Sequence, residues 1–417
     1  MTARRSRAVS SAAPVVLLLL PAAASWAAKG EPGLAILAGK IVTVTNGTVD
    51  HGVILIRDGR IEAVGPAAGT PVPADYQVVD VSDKWVLPGM VEIHSHCGLR
   101  GWWGINDMVC QLNPGLRIGD GVDPESVIAR AALAAGVTTI QTVPGSGTNH
   151  GGFGVAFKTA GATKEERLIR RVSVMKMTQA YNPERTSGDI GASRMGMTWL
   201  LREHLTAAKE YDARWSAYER GETDQPPPRD LALEFARPVF HGDLPVLIHT
   251  SESWGVATTM RMFHDEFGLK ATATHVEGGG YQVAQAAAER DLSVNVGPFG
   301  VDFSAEGDGR FRGVAAQYYG AGVKRVSLNT DALGLGQAYL ALAATLAARL
   351  GCDERAALEM VTINPARAIL LDDRVGSIEV GKDADLVVKA SSLLDPNTPV
   401  EMVFVNGQLA YRRDAGH

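Results

Sequence analysis

Apolar and polar residues alternate in short runs at positions 35–38, 40–44, 53–56, 60–64 and 77–81, separated by Asn46-Gly47, Asp58-Gly59 and a Pro/Gly-rich patch over 65–73. A period of two with turn residues between the runs predicts β-strands in a small antiparallel module. A matching piece returns at the far end, where residues 375–380, 385–388 and 402–408 resume short strands and hairpin turns. Neither piece is large enough to enclose a core alone. Residues 28–87 and 373–417 are therefore expected to pair into one β-sandwich, with residues 88–372 inserted between them as a larger domain.

Inside that insertion the pattern changes. Residues 91–96, 137–142, 155–158, 172–177, 246–249, 271–275, 292–296 and 325–329 read as eight strands, and residues 126–135, 195–220, 258–267, 282–290 and 337–350 as helices. Strands alternating with helices predict an α/β fold, a (β/α)8 TIM barrel, although the links between the second, third and fourth strands are irregular. An open doubly wound sheet is the competing arrangement, but no G-x-G-x-x-G follows a strand where a dinucleotide would require it. The longest helical run leads into Gly221-Glu-Thr-Asp-Gln-Pro-Pro-Pro228, whose charge and prolines read as a solvated insertion.

In such a barrel, functional groups sit at the C-terminal ends of strands. The polar residues there are few: His94 and His96 on the first strand, Lys176 on the fourth, His249 on the fifth, His275 on the sixth and Asp331 on the eighth. A period of two puts His94 and His96 on one side of their strand, and two neutral imidazoles converging on a point suit a transition metal ion. His-x-His also arises on strands that bind nothing, so the pair needs the remaining ligands. Lysine can join a metal site only when deprotonated or as a carbamate, because an ammonium has no lone pair. Lys158, on the third strand, competes with Lys176 for that place. His51, His150, His204, His241, His264 and His417 fall in loops, helices or the tail and read as surface or structural residues. Cys97 follows the pair, but alternation turns it to the opposite face, where packing is its expected role.

Composition narrows the picture further. With 46% hydrophobic and 21% charged residues the chain is an ordinary globular protein, and a formal charge of -6 without a long basic run gives no reason to expect nucleic acid. Arg4, Arg5 and Arg7, an apolar run over 13–24 and then Ser25-Trp-Ala27 have the layout of a secretory signal peptide cut near Ala27. Pro14, Pro21 and the shortness of the run argue against a membrane anchor. Loss of residues 1–27 removes three Arg and no acid, leaving a charge of -9 on a protein expected in the periplasm or outside the cell. Cys97, Cys110 and Cys352 allow one disulfide and leave one thiol over.

Leu87-Pro-Gly-Met-Val-Glu-Ile-His-Ser-His96, the spaced histidines, Asn329-Thr-Asp331 and Gly376-Ser-Ile-Glu-Val-Gly-Lys-Asp-Ala-Asp-Leu386 stand in an order that resembles the amidohydrolase superfamily of metal-dependent hydrolases, over residues 33–410. The resemblance implies a distorted barrel, a β-sandwich from both termini and one or two divalent ions as cofactor, zinc foremost. In two-metal members it places His94, His96 and Asp331 on one ion and His249 and His275 on the other, bridged by a carboxylated Lys, here Lys176, or sometimes by Glu. Asp331 and His275 then carry the catalytic roles. The implied reaction is hydrolysis of a peptide or non-peptide C–N bond in a small molecule, by metal-activated hydroxide with Asp331 as general base.

His249-Thr-Ser-Glu252 keeps an alternative open: a single-metal aminohydrolase (deaminase) with Glu252 as proton shuttle. An acid there also suits a helix N-terminus. Residues 144–154, leading to Lys158, and residues 176–183 resemble an imidazolonepropionase-like subgroup. Gln179, Ala180, Tyr181 and Glu184 depart from its Lys-Met-Ala-x-Gly-Glu-Asn-Pro-Lys run, which weakens any inference of substrate. The glycines over 144–154 serve tight turns rather than an anion cradle. Trp102, Trp103, Asn106 and Met108 form either a substrate wall at the barrel mouth or a pin for their own loop. A homo-oligomer is compatible with all of this.

Overall fold

The computed structural model describes residues 32–101, 104–180, 182–185, 190–303, 308–332 and 335–414. The expected signal, Trp102 and Trp103 lie outside them. Strands β1 (Leu34–Val42), β2 (Thr48–Arg57), β3 (Arg60–Pro66) and β4 (Gln77–Pro88) grow from the alternating N-terminal runs. β4 is followed after Gly89 by β5 (Met90–Ser95), so one extended segment leaves the first sheet and enters the second. Gly89 passes Thr138 so closely that a β-carbon there would collide with the threonine side chain.

Next come β6 (Val137–Thr142), β7 (His150–Lys158), β8 (Leu168–Thr178), β9 (Val246–Thr250), β10 (Ala271–His275) and β11 (Ser293–Val296). A small hairpin of β12 (Val301–Phe303) and β13 (Phe311–Gly313) precedes β14 (Arg325–Leu328). The larger sheet has eight strands in the order β14-β11-β10-β9-β8-β7-β6-β5. Its pairs are parallel except around β7, which is antiparallel to both β6 and β8. The reversal falls on the links between the second, third and fourth barrel strands, the ones whose sequence is irregular. A parallel crossover needs about a dozen residues or more, and the links over 143–149 and 159–167 are too short to supply one.

The result is a nearly closed, distorted α/β barrel. β5 and β14, at the two ends of the order, are not paired with each other. The backbone at 360–361 lies in the seam between them: Leu328 N–H donates to Met360 O and Val91 N–H to Val361 O, both at 2.9 Å.

The other sheet joins the chain ends. β15 (Leu386–Lys389), β16 (Val400–Val405) and β17 (Gln408–Arg412) complete an order β17-β16-β15-β4-β1-β2-β3, with β15 antiparallel to β4. Ile61 N–H donates to Lys382 O and Gly381 N–H to Ile61 O, which folds the β3 edge back onto the C-terminal piece around Ile36, Ile54, Val86, Leu386 and Phe404.

Lys158 is buried at the end of β7, its Nζ 2.6 Å from Asp385 and 3.0 Å from Asp383. Because β7 runs backwards, its C-terminal end lies opposite the C-terminal ends of its parallel neighbours. Lys158 thus ties the barrel to the sandwich. The helix Arg194–Glu219 turns Leu201, Leu205 and Ala208 inward against Phe153, Met175 and Met177 of the barrel wall, so the solvated insertion is confined to the connection that follows it. Among the described residues no helix is long and apolar enough to cross a membrane.

Candidate metal centre

His94 lies within β5 and His96 one residue past its end; Lys176 lies within β8, His249 within β9 and His275 at the end of β10, and Asp331 follows β14. The His275 ring centroid is 4.6 Å from that of His94 and 4.2 Å from that of His249. Asp331 Oδ1 is 3.3 Å from His96 Nε2 and 3.6 Å from His94 Nε2. One ligand atom each from His94, His275 and Asp331 lie within 4.8 Å of one another, a spacing that a single cation can span.

The imidazoles are oriented from behind. His96 Nδ1 is 2.8 Å from Val143 O and His275 Nδ1 is 2.8 Å from Gly297 O. A neutral ring that donates through Nδ1 keeps a lone pair on Nε2, the usual arrangement of a metal ligand. His275 Nε2, both nitrogens of His94 and Nδ1 of His249 are buried with no protein partner. Each such atom costs about 1–3 kcal/mol when left dry. His96 Nε2 faces the Asp331 carboxylate, and two lone pairs oppose each other there unless a proton or a cation lies between them. A divalent metal fits this donor set.

Electrostatics favour the ligating forms. Burial holds His94 and His249 well below the ordinary histidine range, and the charge of Lys176 adds to the effect on both. His275 is lowered by burial, with Asp331 pulling the other way. Lys176 is fully buried, donates from Nζ to Ser146 Oγ at 2.6 Å, and is brought down to about 7 by burial. Burial would raise Asp331, but its contact with His96 and the charges of His275 and Lys176 leave it lowered. His275, Val276 and Asp331 hold φ values of 71°, 52° and 46°, left-handed conformations that cost non-glycine residues about 1–3 kcal/mol each and gather at functional sites.

The other residues singled out in the sequence lie around this cluster or away from it. Glu252 begins the helix Glu252–Thr259, one of the two places read for it, and turns its half-exposed carboxylate to Arg194 at 2.9 Å. His150 and His204 are structural rather than surface residues, both buried with rings 5.1 Å apart, His150 on β7 instead of in a loop and His204 on the helix Arg194–Glu219. The glycine-rich loop is pinned by Gly147 N–H donating to Asn106 Oδ1 at 2.8 Å, beside a cleft of about 580 Å³ that Met108 and Arg117 help to line. Cys97, Cys110 and Cys352 are all free thiols, and Cys97 is buried in the core.

Two acids escaped the reading of strand ends. Glu277, two residues after His275, is buried, pushed up to about 7 by that burial, and accepts the N–H of Gly300 at 2.6 Å. Glu92, two residues before His94, is buried and likewise raised to about 7. Each stands two positions from a histidine already singled out, and that period-two spacing was the available signal.

A nearly closed α/β barrel with histidine, lysine and aspartate converging from its strand ends, capped by a sandwich of both chain ends, defines a metal-dependent hydrolase. Comparison with known proteins makes the class specific. Residues 239–410 match the Amidohydrolase family. The chain is 26% identical to the imidazolonepropionase of Methylobacterium sp. (strain 4-46), over 91% of its own length and 93% of that protein. It is 24% identical to amidohydrolase tasK of Hapsidospora irregularis over 86% of its length, but spans 39% of that longer protein. The crystal structure of an amidohydrolase from Thermotoga maritima MSB8 aligns with a TM-score of 0.81 at 28% identity, over 91% of this chain and 100% of that one. These likenesses, together with the barrel and its converging side chains, support the amidohydrolase superfamily, on its imidazolonepropionase-like side, and a hydrolase acting on carbon–nitrogen bonds.

Proposed function

We propose that the protein is exported and hydrolyses an amide or related C–N bond of a small molecule at a two-zinc centre. In this reading His94, His96 and Asp331 hold one ion, His249 and His275 the other, and a carboxylated Lys176 joins them. The observation that carries it is the group of buried imidazole nitrogens without protein partners beside Asp331. When bound, such ions polarise a substrate carbonyl and lower the pKa of a coordinated water toward neutrality.

The chain's own residues do the rest. Lys176, held near 7, supplies the neutral amine that adds to carbon dioxide and gives up one proton as the carbamate forms. Ser146 Oγ is the hydroxyl already at its Nζ. Asp331, kept ionised, takes the proton of the attacking water and passes it to the leaving nitrogen. Gly297 O holds His275 in the tautomer that directs Nε2 to the same place. The aminohydrolase alternative gains nothing from Glu252, whose carboxylate is engaged by Arg194.

Metal analysis of the purified protein, with a hydrolysis screen of dipeptides, N-acyl amino acids and cyclic amides, tests the reading. About two zinc per chain and cleavage of one of these classes is the expected result. A protein that takes up no divalent ion would overturn it, and one ion with ammonia release from an amino-substituted ring would favour deamination.

A further inference from the structure

We infer that Glu92 is a positioning residue: it staples the unpaired seam of the barrel and so sets the distance between the first-strand ligands, His94 and His96, and the eighth-strand ligand, Asp331. The inference rests on the metal-centre reading proposed above.

Most neighbouring barrel strands are held in place by a ladder, as between β9 and β10, where five residue pairs stand in register. β5 and β14 have no ladder, yet the three ligands of one proposed ion come from the two sides of that gap. Glu92 spans it. Its Oε1 accepts the N–H of His94 at 2.9 Å, while Oε2 accepts the N–H of Thr330 at 2.9 Å and its hydroxyl at 2.8 Å. One carboxylate oxygen therefore grips the backbone of a ligand on β5, and the other grips the residue immediately before Asp331. His96 N–H to Ala332 O at 3.1 Å, and Gln337 Nε2 to Ser95 Oγ at 2.6 Å, close the rim of the same seam.

The chemistry requires a carboxylate of this length. Three donors converge on a side chain that is 0% exposed, so water cannot substitute for a lost acceptor. Glutamine would present its amino group to one of the two backbone N–H groups, donor against donor, and release one side of the seam. Aspartate is one methylene too short to reach both.

The test compares zinc affinity, by competition with a chromophoric chelator, in the wild type, Glu92→Gln, Thr330→Val and Lys158→Met, each checked for thermal stability without metal. Glu92→Gln is expected to bind zinc about ten- to a hundredfold more weakly, the usual loss when a group behind a metal ligand is removed. The visible spectrum of its cobalt-substituted form should change, since the Asp331 donor shifts. Thr330→Val, which deletes only the hydroxyl donor, should lose less in the same direction. Lys158→Met, at the far end of the barrel, should lose stability while keeping its zinc affinity and cobalt spectrum.

Wild-type zinc affinity and cobalt spectrum in Glu92→Gln, with stability lowered as in Lys158→Met, would overturn the inference and leave Glu92 a core residue only. If Glu92→Gln does not fold, unchanged affinity in Thr330→Val decides against it. A wild type that binds no zinc would bring down the metal-centre reading itself and this inference with it, an outcome distinct from a bound metal that ignores Glu92.

Discussion

Asp331 is asked to do two things, to ligate and to move a proton, and one substitution separates them. Asparagine keeps a carbonyl oxygen for the ion but cannot accept a proton, so Asp331→Asn should retain most of its zinc while kcat falls about 10²- to 10⁴-fold; unchanged turnover would remove Asp331 from the proton path. His150 gives a second prediction at this scale. Burial holds it well below its ordinary range, so the folded chain keeps it neutral while the unfolded chain protonates it below about pH 6.5. Its contribution to stability is therefore lost as pH falls, by about 1.4 kcal/mol per pH unit. Glu92 and Glu277, each raised to about 7, act with the opposite sign over part of that range and mask it in the wild type alone. The stability difference between wild type and His150→Gln isolates it: urea titrations should show that difference move in the variant's favour below pH 6.5, and a pH-independent difference would mean that the imidazole protonates in place. That His94, His96, Lys176, His249, His275 and Asp331 stand at strand ends could be read from the sequence because strand periodicity and strand ends are local. Glu92 could not be assigned a role, since that depends on which two strands fail to pair.

The barrel strands themselves were legible as apolar runs, but their directions were not. An apolar run reads alike both ways, and β7 looked like one more member of a parallel series, although the short links on either side of it carried the contrary signal. The reversal decides the place of Lys158 between Asp383 and Asp385. Lys158→Met would leave the buried Asp385 without its cation, while Asp383 keeps Arg374 at 2.8 Å; losing one partner of a buried pair costs about 3–5 kcal/mol. Denaturant midpoints should show that loss, whereas activity per folded molecule should stay near the wild type. The helix Arg194–Glu219 taught the converse lesson: its charged face suggested solvent, while its apolar stripe packs on the outer wall of β7 and β8.

Across the whole molecule, the pairing of the two termini into one sheet was foreseeable from the matching alternation at both ends, whereas the curl that brings β3 to residues 381–382 was not, because it depends on tertiary closure. Chelation should abolish hydrolysis and lower the thermal midpoint, with both restored by added zinc; a ligand at a thousand times its Kd stabilises by about 4.1 kcal/mol. If the protein is exported as proposed, N-terminal sequencing of the mature chain should find a start near Ala28; a chain that begins at Met1 would count against export.

The passage of β4 through Gly89 into β5 bears on the order of synthesis. The segment that delivers His94 and His96 is braced along β4 by β15, which is translated only after every proposed ligand has left the ribosome. Capture of a metal by the proposed centre would then be a late event in the life of the chain. A version ending at residue 380 would possess all six candidate ligands and still be expected to lose the centre.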